Sequence, residues 1–263
     1  MNLHVETRGR GPDLVLLHGW ALHGGMWGPW IDELARHARL HLVDLPGHGR
    51  SGWSEDCAGL GGLAAAVRPA VPPGAVVLGW SLGGLVALEL ARGPRSPVSA
   101  LVLVATTPRF VADADWVHGM APDVLAEFAR SLAADHAETV RNFLALQVRG
   151  DERSHETLRQ LRRSLDAHGP PDPRALGAGL DILASADLRD DLPRIAVPAL
   201  VIAGDHDRLT PPGAGRELAI RLPQARHHAI ARSGHAPFLS HGPEVLAEVS
   251  GFLRRHAATE AAS

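Results

Sequence analysis

Ala75-Val76-Val77-Leu78-Gly79-Trp80-Ser81-Leu82-Gly83-Gly84-Leu85-Val86-Ala87-Leu88-Glu89-Leu90-Ala91 reads as strand, turn and helix in immediate succession. The apolar run at 75–78 suits a buried strand, and 85–91 has the composition of a helix. Between them lies Gly-x-Ser-x-Gly, the pattern of a nucleophile elbow. A serine at such a sharp turn sits in a strained backbone conformation, so the neighbouring positions must be small. The helix behind it points backbone N–H groups at any negative charge that develops near the serine. On its own the pattern is weak; its placement between strand and helix is what makes Ser81 a candidate nucleophile.

On the N-terminal side, Leu14-Val15-Leu16-Leu17 and Leu40-His41-Leu42-Val43 are further short apolar runs. The first ends in His18-Gly19-Trp20 and the second in Asp44-Leu45-Pro46-Gly47-His48-Gly49-Arg50-Ser51. Met1 to Thr7 alternates like a first strand, and a helix carries Trp27, Trp30, Ile31 and Leu34 at helical spacing. Residues near 59–70 read as a helix weakened by Gly59, Gly61 and Gly62. After the elbow, Ala100 to Ala105 is another buried strand. Strands alternating with helices predict an α/β fold, a mostly parallel sheet covered on both faces, with ligands at the carboxyl ends of the strands.

The rhythm changes at residue 108. Four helical segments, 122–134, 137–149, 154–167 and 173–184, follow one another without a strand. Sheet rhythm returns at Pro198 to Ala203 and at His227 to Ile230, and a helix from Pro243 to about His256 closes the chain. The domain reading is a core of residues 1–109 and 193–256, a helical cap at 110–192 and a frayed tail at 257–263.

Composition limits the function classes. The 263 residues are 45% hydrophobic with net charge −3, and mean hydropathy is −0.01. That balance argues against nonspecific nucleic-acid binding. All basic residues are arginine, so no Walker-type lysine exists. The single cysteine, Cys57, excludes an internal disulfide and any multi-cysteine metal site. No metal-ligand spacing and no dinucleotide fingerprint stand out, and no cofactor is expected. No apolar run is long enough to span a bilayer, and the N-terminus lacks a secretory pattern, so a cytoplasmic protein without a membrane partner is expected. A monomer is expected.

A serine hydroxyl needs a base, and 16 histidines compete for that role. His235 stands out because Ser233-Gly234-His235-Ala236-Pro237-Phe238 forms a loop directly after the last strand. His18, beside the oxyanion glycine, reads instead as a structural hydrogen bonder. The orienting carboxylate should lie in Gly204-Asp205-His206-Asp207, after the preceding strand. Asp207 lies farther into the loop and is favoured; Asp205 is better placed to cap the turn. Two N–H donors, from Leu82 and Trp20, would hold the oxyanion.

With these residues assembled, the chain resembles the α/β-hydrolase superfamily over essentially its whole length. LVLLHGW (14–20), LHLVDLPGHGRS (40–51), LGWSLGGLVA (78–87), FLALQ (143–147) and HAPFLSH (235–241) together resemble the BioH family. Those are pimeloyl-acyl carrier protein methyl ester carboxylesterases of biotin synthesis. The resemblance implies a triad of Ser81, Asp207 and His235 with oxyanion donors Trp20 and Leu82. It also implies a substrate pocket lined by Trp20, Ser81, Leu82, Phe143, Leu144, Ala145, Leu146, Gln147 and His235. On periodicity alone, 143–147 is an amphipathic core helix, and Leu144 in particular reads as core. An acidic carrier protein would suit arginines on the cap. At about 100° per residue, Leu158, Leu161 and Leu165 share one face of the 154–167 helix and Arg159, Arg162 and Arg163 fall opposite, with Arg149 and Arg153 just before. Glu138, Asp151, Glu152, Glu156 and Asp166 keep the net charge of this region modest. Alternatives are a general short-chain esterase or C–C bond hydrolase of the same fold, and a non-catalytic ligand receptor. A dehalogenase would need aspartate at position 81.

Overall fold

A computed structural model describes residues 1–260. Among these, seven strands form one sheet: β1 (Val5–Gly9), β2 (Asp13–Leu17), β3 (Arg39–Val43), β4 (Ala75–Trp80), β5 (Val98–Val104), β6 (Ala199–Gly204) and β7 (Ala225–Ile230). Their order is β1-β3-β2-β4-β5-β6-β7; β1 runs antiparallel to β3 and every other pairing is parallel. The helices are α1 (Trp30–Leu34), α2 (Leu60–Val67), α3 (Leu82–Ala91), α4 (Pro122–Ala134), α5 (His136–Gln147), α6 (Ser154–Ala167), α7 (Pro173–Ser185), α8 (Pro212–Arg221), α9 (Pro237–Ser240) and α10 (Gly242–Glu260).

The apolar runs are explained by burial on both sides. Val15 and Leu17 of β2 enter one core with α2, α3 and α8, while Leu14 and Leu16 enter a second with α1 and α10. A strand enclosed in this way has no polar face to show, which is why 14–17, 75–78 and 100–104 read as continuous apolar segments. At the sheet edge, β7 is half-exposed and carries His227 and His228, so only its last residues read as strand. The closing helix continues to Glu260, four residues beyond the expected end. Of the tail expected at 257–263, residues 261–263 lie outside the described residues.

Connections leave β2 toward β3 on one side and, after crossing back, proceed from β4 through β7 on the other. The crevice between the carboxyl ends of β2 and β4 is therefore the topological switch point, where open parallel sheets receive ligands. His18-Gly19-Trp20 and Ser81 both follow those ends. Helices α4 to α7, all between β5 and β6, lie over this crevice: the Trp20 indole N–H donates to the Leu176 carbonyl in α7 (2.9 Å). No helix among the described residues is long and apolar enough to cross a membrane.

Close backbone packing fixes the turn after β4. A Cβ on Gly79 would collide with the Gly83 carbonyl, and one on Gly83 with the carbonyls of Leu17 and His18. By contrast, a Cβ on Gly177 in α7 would meet nothing within 4 Å. Gly79→Ala should therefore destabilise the protein by about 1–3 kcal/mol, whereas Gly177→Ala should be neutral or stabilising by up to about 1 kcal/mol. Urea unfolding of the pair checks this, and equal effects would contradict the packing account.

Candidate active site

Ser81 occupies the turn with φ 55° and ψ −118°, a region costly for any residue with a side chain. Its amide donates to the Val104 carbonyl (3.0 Å) and its carbonyl accepts from Gly84 N–H (2.9 Å), so the strained conformation is held from both sides. The side chain follows β4 into the crevice, at the N-terminus of α3.

Asp207 lies in the loop after β6 and is buried. Its Oδ1 accepts from the amides of Leu209 (2.8 Å) and Thr210 (3.0 Å). Its Oδ2 accepts from the Thr210 hydroxyl (2.7 Å) and faces His235 Nδ1 at 2.8 Å. A carboxylate so placed offers no proton, so Nδ1 carries the hydrogen and donates it, leaving Nε2 of the neutral ring as a bare acceptor. Among the described residues the buried Nε2 has no hydrogen-bond partner, the Ser81 hydroxyl included. Asp205 is exposed, with His206 Nε2 3.9 Å from its Oδ1. The turn-capping expected of Asp205 is instead made by Asp207, through the Leu209 and Thr210 amides.

The oxyanion candidates flank the serine. A Cβ on Gly19 would lie 3.3 Å from Ser81 Cβ, which puts the Trp20 peptide beside the serine. Leu82 opens α3, so its N–H has no intrahelical acceptor. Among the described residues neither amide donates a backbone hydrogen bond.

A family model described as the alpha/beta hydrolase fold matches residues 12–242. A pimeloyl-(acyl-carrier protein) methyl ester esterase from Stenotrophomonas maltophilia (strain K279a) is 47% identical over 251 residues, covering 95% of this chain and 96% of that one. One from Nitrosomonas europaea is 46% identical over 241 residues, covering 91% and 94%. The chain belongs to the α/β hydrolases. Within them it falls in the pimeloyl-(acyl-carrier protein) methyl ester esterase family, and it is a carboxylic ester hydrolase. Among solved structures, an esterase from Exiguobacterium antarcticum superposes with TM-score 0.87 at 22% identity, over 96% and 95% of the two chains, a likeness of fold.

The FLALQ segment divides in this hydrolase. Phe143 packs edge-on against Trp20, ring centroids 4.7 Å apart. Gln147 is buried, and its carbonyl accepts from His235 N–H (2.9 Å). Leu146 is half-buried against the same core as Phe143. Leu144 packs into the other core with Trp80 and Phe238, as its periodicity suggests. Ala145 is exposed on the outer face of α5, so the pocket-lining expectation fails there: a helix cannot turn five consecutive residues to one side. Arg149, Arg153, Arg159, Arg162 and Arg163 are all exposed, and among the described residues none of their guanidinium groups forms an ion pair. Sequence reasoning missed Thr210, whose hydroxyl bonds Asp207; the Asp-x-x-Thr spacing of a side-chain-capped turn was the available signal. Among the described residues no cluster of three or more His, Cys, Asp or Glu is arranged to hold a metal ion.

Beneath the oxyanion loop, His18 Nδ1–H donates to the Gly19 carbonyl (2.7 Å) and Nε2 accepts from Leu45 N–H (2.9 Å). The second bond requires a neutral ring, since a protonated Nε2 could not accept. Burial, with His48 nearby, lowers the His18 pKa to about 3, and burial lowers that of His48 to about 4. The unfolded chain therefore takes up protons first as pH falls, so stability should be full above about 6.5 and decline toward pH 4. Thermal melts from pH 7 to 4.5 should show a falling midpoint, with a shallower fall in His48→Asn. A flat profile would contradict it.

Proposed function

We propose that this chain hydrolyses the methyl ester of a pimeloyl group carried on acyl carrier protein, releasing methanol and the free carboxylate, as the names of its relatives state for those proteins. Ser81 is the nucleophile, His235 the base and Asp207 the orienting carboxylate. The observation that carries the reading is the locked ring of His235: with Nδ1–H committed to Asp207 Oδ2 at 2.8 Å, its buried Nε2 is the one acceptor left to take a proton.

The reaction follows from that polarity. Ser81 Oγ attacks the ester carbonyl carbon while its proton passes to Nε2. The carbonyl oxygen becomes an oxyanion held by the N–H groups of Trp20 and Leu82, and loss of either should cost about 10²–10³ in rate. Collapse breaks the bond to methoxide, which leaves as methanol with the Nε2 proton. Water then gives a proton to Nε2 and attacks the acyl-enzyme, and Ser81 departs with that proton. Asp207 stays ionised throughout and stabilises the imidazolium.

Helices α4 to α7 act as the cap in this proposal. A cavity of about 800 Å³ opens among them, lined by apolar side chains such as Val140, Leu165 and Leu176 and by charged residues of both signs, Arg141 and Arg162 with Asp135 and Asp166. Leu176 is the residue whose carbonyl holds the Trp20 indole, so the cavity backs onto the site. The cavity's apolar stretch suits an acyl chain. The unpaired arginines of the α5–α6 turn and α6 are the proposed carrier-docking face. The setting proposed is the cytoplasm, with a monomeric enzyme.

Ser81→Ala should fold normally and lower turnover by roughly a million-fold; substantial residual esterase activity would sink the assignment. In a biotin auxotroph lacking its pimeloyl methyl esterase, the wild-type gene should restore growth and the alanine variant should not. Combined Arg153→Glu, Arg159→Glu and Arg163→Glu should raise KM for the carrier-bound ester by roughly tenfold and leave a short p-nitrophenyl ester unaffected. An equal effect on both substrates would remove the docking face.

A further inference from the structure

The turn after α5, residues 147–152, is bonded to both loops that meet at the candidate site. The Gln147 carbonyl accepts from His235 N–H (2.9 Å), and Glu152 N–H donates to the Arg232 carbonyl (3.0 Å). The Gly150 carbonyl faces His206 Nδ1 at 2.8 Å, one residue from Asp207. At the centre is Asp151. Its side chain is buried, 6% exposed, and among the described residues it meets no cation. Oδ1 accepts from Arg153 N–H (2.7 Å), an ordinary local turn bond. Oδ2 accepts from Gly234 N–H (2.9 Å), 83 residues away. That second bond serves no local need of the turn.

Burying a carboxylate without a cation is costly unless backbone donors compensate. Here one of the two donors is the N–H of Gly234, the residue before His235. Contact at this point is close: a Cβ on Gly234 would come within 2.8 Å of the Gln147 carbonyl and 3.3 Å of Asp151 Cβ. The loop leading into it is strained, with Arg232 at φ 55°, and needs outside support to hold its shape. Fixing the Gly234 peptide fixes the direction in which the His235 side chain leaves the backbone. His235 is then held at its ring by Asp207, at its amide by Gln147, at its carbonyl by the Trp80 indole N–H (2.7 Å), and through the amide of the preceding residue by Asp151.

We infer that Asp151 is a positioning residue for His235, setting the approach of Nε2 to the Ser81 hydroxyl; this rests on His235 being the base. It does not touch substrate. A misplacement of the base by about 1 Å costs on the order of 10²-fold in rate, so the inference predicts an effect on kcat with substrate binding preserved.

The test uses the full-length protein and a short p-nitrophenyl ester, assayed well below the melting temperature. Asp151→Ala should lower kcat by about tenfold to a hundredfold with KM within about twofold, and should slow fluorophosphonate labelling in the same proportion. Asp151→Asn, which keeps a side-chain carbonyl oxygen for Gly234 N–H, should recover most of that loss. If the alanine variant does not fold, the asparagine variant carries the test alone: a severalfold lower kcat at unchanged KM is expected. Unchanged kcat in the folded variants, or a loss that asparagine does not relieve, overturns the inference. His235→Ala separates the two levels. If it is inactive while Asp151→Ala is unimpaired, only the role of Asp151 fails; if it retains full turnover, both fail.

Discussion

The backbone of Ser81 is held where a side-chain-bearing residue is disfavoured, at φ 55° and ψ −118°, and much of the molecule exists to keep it there. A conformation of this kind costs on the order of 1–3 kcal/mol, so it persists only when the surroundings leave no alternative. Gly83 presses against the last carbonyls of β2, Gly79 against the start of α3, and the Ser81 amide is tied to β5. Three neighbouring parallel strands thus hold the turn, and strands in that register need a sheet buried on both faces. The same strain projects the serine out of the sheet and aims the first N–H groups of α3 at the space before it.

That dependence explains which parts of the chain were legible. The elbow and the enclosed strands β2, β4 and β5 leave local marks, because glycine spacing and unbroken apolar runs are imposed by contacts at those positions. His235 and Asp207 were legible through their places after the last two strands. The edge strand β7 was only half visible, since an exposed edge tolerates Arg226, His227 and His228. Ala145 was misread because a motif was carried over as a block, whereas the helix turns each residue differently. Thr210 and Asp151 were not found: the first acts through a turn that fits many residues, the second through a partner 83 positions away. In the sequence Asp151 was simply one of several acids in a helical region.

The helical block and the sheet therefore meet in hydrogen bonds around His235 as well as in apolar packing. Trp20 joins them beside Ser81: its indole bonds to α7 and its ring packs on Phe143. On the base side the 147–152 turn does the same for His235. Ser81, Trp20 and His235 are all nearly inaccessible, and the contacts between the helical block and the sheet lie at Trp20 and His235 themselves. Arg149 and Arg153 project from that same turn.

The most direct test of Ser81 as nucleophile is stoichiometric labelling with a fluorophosphonate followed by peptide mapping. A single adduct on Ser81, formed in step with loss of ester hydrolysis and absent from a His235→Ala variant, is the predicted result. Label on another residue, or full hydrolysis of the methyl ester by protein labelled to completion, would contradict it.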